Sequence, residues 1–209
     1  MARQAATRSQ KPDPRDGEVE TAGCVSKRSS HLQVISLGAL KKWESWRLDI
    51  SDAFPRADGF CRDIYVRAPG EWISKDARRI MKLEAPAYSL GGSPAAFRQS
   101  WREYSVESVE SPFKVGHRFE APSVDPSLYF VLRISGGAVG AIARNIGDFS
   151  GCGEPDLLLK ARRFSERRFG KLKVQETPLM HMGMALAQED DFSATSTQED
   201  FAKNPQLPP

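Results

Sequence analysis

The sequence is poor in cysteine and histidine, and this scarcity excludes several classes of protein. Its three cysteines (Cys24, Cys61 and Cys152) lie far apart and form no C-x-x-C pair. They predict neither a disulfide framework nor a zinc site, and reduced thiols are the expected state. His181 has no histidine or cysteine at ligand spacing. It is therefore not predicted to be part of a metal site of its own.

Long apolar runs are also lacking. No stretch approaches the roughly 20 residues that a membrane span needs. The opening Met-Ala-Arg-Gln is not followed by the apolar segment of a signal peptide. The sequence therefore predicts a cytoplasmic or nuclear protein with no membrane partner. A net charge of only +3 permits nucleic-acid binding but does not argue for it.

The composition is that of a globular chain with polar ends. Hydrophobic residues make up 40% of the sequence and charged residues 27%, which is ordinary for a folded domain. Residues 1–30 and 188–209 are polar and contain few large apolar side chains, so they cannot bury enough surface to offset the entropy of ordering. We expect a poorly ordered segment at 1–30, a domain at 31–187 and a polar tail at 188–209.

The central region mixes helix-like and strand-like segments. Apolar spacing and punctuation predict helices at 31–43, near 94–101 and at 155–169, and strands at 46–50, 64–66, 128–132, 139–146 and 179–186. The strands do not simply alternate with helices. The sequence therefore predicts an α+β fold rather than a doubly wound sheet.

Four segments carry side chains of chemical interest, and each has an ordinary explanation when taken singly. They are LDISDAF at 48–54, LGGSPAAF at 90–97, ARNIGDF at 143–149 and LMHMGMAL at 179–186. Asp49 ends an apolar strand, where a carboxylate is costly to bury unless it is paired or holds a metal, but it could simply cap the next turn. Gly147-Asp148 suits a hairpin turn. The methionines suit core packing.

Together and in this order, the segments resemble copia-type retrotransposon reverse transcriptases. The run at 48–54, followed by DIYVRAP at 63–69, is similar to the family's Leu-Asp-Val-x-x-Ala-Phe-Leu segment and its Ile-Tyr-Met/Val-x-x-Pro strand. Residues 83–101 resemble the block Leu-Tyr-Gly-Leu-x-x-Ala-Pro-x-x-Trp, and DPSLY at 125–129 resembles Asp-Pro-Cys-Leu-Tyr. The residues at 146–148 fall where the family carries the Val-Asp-Asp of its Tyr-Val-Asp-Asp box.

The resemblance implies a reverse-transcriptase palm, an antiparallel sheet packed on helices, with truncated fingers. It implies RNA-directed DNA polymerase chemistry by two-metal phosphoryl transfer with Mg²⁺ or Mn²⁺. The partners would be an RNA or DNA primer–template and deoxynucleotides. Asp49 and Asp148 would be the catalytic, metal-binding carboxylates, at neighbouring strand ends of one antiparallel sheet. The nucleotide-binding residues would be Ile50, Asp52, Ala53, Phe54 and Tyr88. Met182 and Gly183 would correspond to the primer grip.

Two departures from the family predict impaired catalysis. Gly147 stands where the family has the first aspartate of its box, and the next strand would be Ser150–Gly153, which has poor strand propensity. Three hypotheses stay open: an active polymerase, a non-catalytic nucleic-acid-binding relict, and a domesticated nucleic-acid-binding protein. A basic cluster consists of Lys160, Arg162, Arg163, Arg167, Arg168, Lys171 and Lys173. It could be a solvated helix face or a phosphate-contacting surface.

Overall fold

The computed structural model describes residues 25–59, 63–67, 80–88, 90–108, 111, 116–181 and 183–198. Within these residues lie three α-helices: α1 (Arg28–Lys41), α2 (Ser93–Arg102) and α3 (Pro155–Phe169). The strands are β1 (Glu44–Ile50), β2 (Ile64–Arg67), β3 (Ile80–Leu83), β4 (His117–Glu120), β5 (Leu128–Arg133), β6 (Ala138–Asn145), β7 (Asp148–Gly153), β8 (Leu172–Glu176), β9 (Leu179–His181), β10 (Met184–Gln188) and β11 (Ala194–Thr197). A 3-10 helix (Phe54–Arg56) follows β1, and a π-helical turn (Glu103–Glu107) continues α2. In the described part of the chain, no helix is long and apolar enough to cross a membrane.

Six strands form one antiparallel sheet in the order β4-β5-β6-β7-β1-β8. The early strand β1 therefore lies between two strands from much later in the chain. The expected mixture of helices with antiparallel strands is observed. The helix predicted at 155–169 has those bounds because Pro155 suits a first turn and Gly170, at φ +79, ends the helix. The helix predicted at 31–43 instead runs over 28–41.

Helices cover both faces of this sheet. On one face α2 and α3 enclose the larger core, in which Phe97, Trp101 and Phe149 are buried. On the other face α1 packs against β1, β6 and β7. Its close approach depends on Gly38, where a Cβ would lie 2.8 Å from Ser45 Oγ. The result is a three-layer arrangement around one central sheet.

Strand β7 forms despite the poor propensity expected for Ser150–Gly153. It is buried from Phe149 to Gly153. A Cβ at Gly151 would lie 2.2 Å from the Trp46 ring, so the indole packs directly on the backbone of its cross-strand neighbour. Packing on β1 therefore outweighs intrinsic propensity at this strand.

In the described part of the chain, two smaller sheets accompany the main one. Strands β2 and β3 form an antiparallel pair, and β9, β10 and β11 form a three-stranded sheet. The single strand expected at 179–186 is in fact the hairpin β9–β10, because Gly183 adopts φ +74 between them. The region expected to be a polar tail contributes β11, which pairs with β10. Residues 1–24 and 199–209 lie outside the described residues.

Candidate active site

The two carboxylates singled out in the sequence lie directly opposite each other. Asp49 near the end of β1 pairs in register with Asp148 at the start of β7. Opposed residues of an antiparallel pair project from the same face, with Cβ atoms roughly 5 Å apart. The sequence prediction that both lie on adjacent strands of one antiparallel sheet is confirmed. Their role in binding metal stays a prediction.

Arg47 holds Asp148 through both carboxylate oxygens. Its Nε donates to Oδ1 at 2.7 Å, and one terminal nitrogen donates to Oδ2 at 2.8 Å. The other terminal nitrogen donates to Gln175 Oε1 at 2.9 Å and to the Met180 carbonyl at 2.8 Å. The guanidinium thus joins β1 to β7, β8 and β9. Sequence reasoning missed this residue, although its position two residues before Asp49 on a strand places both on one face.

A second positive charge faces Asp49 from the other side. In the pairing of β1 with β8, Lys173 is the residue opposite Asp49 and Gln175 is opposite Arg47. The row across the three strands is therefore Asp148, Asp49, Lys173. With Arg47 one step along, two carboxylates are matched by two basic side chains.

Two buried histidines extend this polar cluster beneath α1. His181 Nδ1 lies 3.3 Å from Asp148 Oδ2. The His31 ring is 4.2 Å from the His181 ring, centroid to centroid. His31 Nδ1 is 2.5 Å from Ser150 Oγ, and His31 Nε2 hydrogen-bonds with the Ser26 hydroxyl. Sequence reasoning missed the pair, because residues 150 positions apart give no local signal.

These contacts and the burial of the cluster shift the pKa values of Asp148 and His31. Burial raises the pKa of Asp148, but the interactions with His181 and Arg47 outweigh it and leave that pKa below its ordinary value. Asp148 is therefore an ionised carboxylate at neutral pH. Burial, reinforced by the neighbouring His181, lowers the pKa of His31 to about 4, although Asp148 and Asp125 oppose the shift. His31 is accordingly neutral above mildly acidic pH.

Gly147, at the position of the missing aspartate, lies in the turn between β6 and β7. Its carbonyl accepts a 2.8 Å hydrogen bond from the backbone N–H of Ile50. A Cβ at this position would lie 2.7 Å from Ala53 Cβ and 3.4 Å from the Ile50 carbonyl oxygen. Real side chains do not approach that closely, so the turn has closed around the glycine. Restoring a carboxylate at position 147 therefore requires the backbone or Ala53 to move.

The predicted nucleotide-binding residues follow β1 in a tight turn. Asp52 is exposed with φ +58, and Ala53 is buried. The Phe54 ring meets the Tyr88 ring edge-on, with centroids 5.1 Å apart. The structure thus brings together two aromatic residues that the sequence separates by more than 30 positions. Whether they contact a nucleotide stays a prediction.

The residues compared with a primer grip lie in the β9–β10 hairpin. Gly183 is exposed in its turn, and Met182 lies outside the described residues. The hairpin is tied to the carboxylate pair, because the carbonyl of Met180 accepts a hydrogen bond from Arg47. The position of Gly183 is therefore linked physically to Asp148.

Among the residues that the structure describes, the side chains as arranged do not provide the ligands of a two-metal site. Two hard cations need several carboxylate oxygens held around a common point. Among the described residues no group of three or more His, Cys, Asp or Glu side chains has that arrangement. Position 147 adds no carboxylate, and both oxygens of Asp148 are bound to Arg47. The Mg²⁺ or Mn²⁺ inferred from the resemblance stays a prediction.

Some residues of the basic cluster form ion pairs with acidic side chains and others do not, within the part of the chain that the structure describes. Arg162 pairs with Glu166, and Arg168 pairs with Asp58 while it stacks over Tyr104. Among the described residues no ion pair joins the other five to an acidic side chain: these are Lys160, Arg163, Arg167, Lys171 and Lys173. The first three fall on one stripe of α3, at helical spacing i, i+3 and i+7.

Comparison with known proteins adds little to this geometry. No protein-family model and no curated protein matches the sequence. Among solved structures, the chain is similar to telomerase from Candida albicans in complex with the TWJ fragment of telomeric RNA, with a TM-score of 0.33 and 11% identity. The likeness covers 88% of this chain and 37% of the telomerase chain. So low a TM-score carries no argument about fold or function, which rest on the residues and their geometry.

Proposed function

We propose that this chain is the remnant of a copia-type reverse transcriptase palm that no longer polymerises and keeps a surface for nucleic-acid phosphates. The family assignment rests on the ordered motifs of the sequence. The opposed Asp49 and Asp148, and the contact of Phe54 with Tyr88, are compatible with it.

The observation that carries the loss of activity is the packing around Gly147. Two-metal phosphoryl transfer depends on carboxylates that hold both ions and disperse charge on the transferring group. Here one carboxylate is absent, and Ala53 Cβ fills the space where its Cβ would start. Each 1.4 kcal/mol lost from transition-state stabilisation slows the reaction about tenfold. Loss of a metal-binding carboxylate would cost several times that amount.

The residual function, nucleic-acid binding, rests on the stripe of Lys160, Arg163 and Arg167. These side chains project away from the buried face of α3, which carries Leu157, Ala161 and Phe164. Cations without acidic partners remain available to phosphates, and each phosphate contact releases counterions.

Primer extension on the purified chain tests the proposal. The unmodified protein is assayed on an RNA template with Mg²⁺ and separately with Mn²⁺. Beside it run Gly147→Asp, the space-making double variant Gly147→Asp/Ala53→Gly, and Asp49→Asn. We expect no extension above background from the unmodified chain. Extension at a rate typical of polymerases that is lost in Asp49→Asn would overturn the proposal.

A further inference from the structure

We infer that the Arg47 guanidinium takes the place of a metal cation beside Asp49 and Asp148. It thereby prevents divalent metal ions from binding to this pair of carboxylates. The inference goes beyond the proposed function, which rests on Gly147 and on the family motifs. It concerns a different residue and would hold for this chain whatever its ancestry. It also has a different readout, because it is tested by metal binding rather than by polymerisation.

The first step is geometric. A carboxylate offers a metal ion its two oxygens, and both oxygens of Asp148 already accept hydrogen bonds from one guanidinium, at 2.7 and 2.8 Å. This two-point contact is the strongest common arrangement of an arginine with a carboxylate. A metal ion at Asp148 would have to displace it.

The second step is that Arg47 cannot easily leave. Its remaining terminal nitrogen is bound at once to the Gln175 side chain and to the Met180 carbonyl. Only 24% of the Arg47 side chain is exposed. A guanidinium pushed off Asp148 would therefore lose its charged partner while staying half-buried beside the incoming cation. The free energy needed to displace the guanidinium therefore weakens the binding of the metal ion.

The third step concerns the other carboxylate. Asp49 stands between Asp148 and Lys173 in the register of β7, β1 and β8. A cation that binds Asp49 alone would have one carboxylate as ligand and positive side chains on two sides. A hard divalent ion with a single protein ligand keeps most of its water and binds weakly. The negative charges of the two carboxylates are thus balanced by the basic side chains of Arg47 and Lys173.

Removing the guanidinium should consequently uncover a cation site. Arg47→Met keeps an unbranched stem of similar length and removes the charge and all four hydrogen bonds. Both oxygens of Asp148 would then be released beside the opposed Asp49. Mn²⁺ is the suitable probe, since it accepts carboxylate and imidazole ligands and its binding is followed directly by electron paramagnetic resonance.

The experiment titrates Mn²⁺ into the unmodified chain, Arg47→Met, Arg47→Met/Asp148→Asn and Asp148→Asn. Arg133→Met is the matched control, because it breaks an exposed ion pair with Glu154 and removes the same charge. We expect no Asp148-dependent site in the unmodified chain up to low millimolar Mn²⁺. We expect one site at least tenfold tighter in Arg47→Met, lost again in the double variant and absent from Arg133→Met.

Two results would overturn the inference. One is a Mn²⁺ site in the unmodified chain that Asp148→Asn removes. The other is an Arg47→Met protein with an unchanged circular dichroism spectrum and no gain in Mn²⁺ affinity. Should Arg47→Met fail to fold, the comparison of the unmodified chain with Asp148→Asn decides alone. Equal Mn²⁺ binding by those two proteins supports closure by Arg47.

Discussion

Acidification should destabilise this fold through His31 before Asp148 is protonated. His31 is fully buried, and its pKa is lowered from 6.5 to about 4. The unfolded chain therefore takes up a proton below pH 6.5, whereas the folded chain does not until about pH 4. Stability from this group is present above pH 6.5 and is lost as the pH falls towards 4. The full effect is about 3 kcal/mol, from about 1.4 kcal/mol per pKa unit.

Between pH 7 and pH 5 the expected loss is about 2 kcal/mol of unfolding free energy. Urea unfolding measures it, with the fluorescence of the buried Trp46 and Trp101 as the probe. This window lies above the range in which the lowered pKa of Asp148 matters. In His31→Gln the difference between the two pH values should shrink to well under half.

The matched control is His117→Gln, which removes the one histidine outside the buried pair. It should keep the pH dependence of the unmodified protein. The reasoning is wrong if the unmodified protein is equally stable at both pH values, or if His31→Gln loses as much stability as the unmodified protein. A change in the urea m-value would show that the denatured state had changed instead.

Two further predictions follow from the geometry. Gly147→Ala should lower the free energy of unfolding by about 1–3 kcal/mol through overpacking, because its Cβ would lie 2.7 Å from Ala53 Cβ. Adding Ala53→Gly should recover a large part of that loss in urea unfolding, and simple additivity of the two changes would contradict the predicted clash. For nucleic acid, Arg163→Gln/Arg167→Gln should reduce the slope of log affinity against log salt by about two, measured with a fluorescent primer–template. An unchanged slope would exclude the α3 stripe, and Arg133→Gln serves as the control with an exposed arginine elsewhere.

The elements that sequence predicted well are those whose signals are local. Helix α3 carries its own boundaries in Pro155 and Gly170, and strands β5 and β6 carry a Gly-containing turn between them. The opposition of Asp49 and Asp148 was predicted only through the family resemblance. Nothing within either segment alone indicates that β1 pairs with a strand about 100 residues later.

Strand β7 was the hardest to predict because tertiary packing stabilises it rather than the strand propensity of its own residues. Gly151 gives no strand signal, yet only a glycine allows the Trp46 ring to lie against the backbone. Propensity counts what a residue contributes alone. It does not include the packing that becomes possible when a residue without a side chain leaves room for an aromatic ring on the neighbouring strand.

At the site, too, the local sequence does not show which residues the fold brings together. Taken singly, Asp49 suited a turn cap and Asp148 a hairpin turn, and only the family resemblance singled them out as carboxylates that would bind metal ions. The fold supplies partners from positions that no local pattern connects: Arg47 bonds to Asp148 across 101 residues, and Lys173 faces Asp49 in the register of the sheet. An acidic pair that needs a metal and an acidic pair already neutralised by the chain have the same local sequence. The two differ in what lies opposite, and here the Arg47 guanidinium binds Asp148 and joins β1 to β7, β8 and β9.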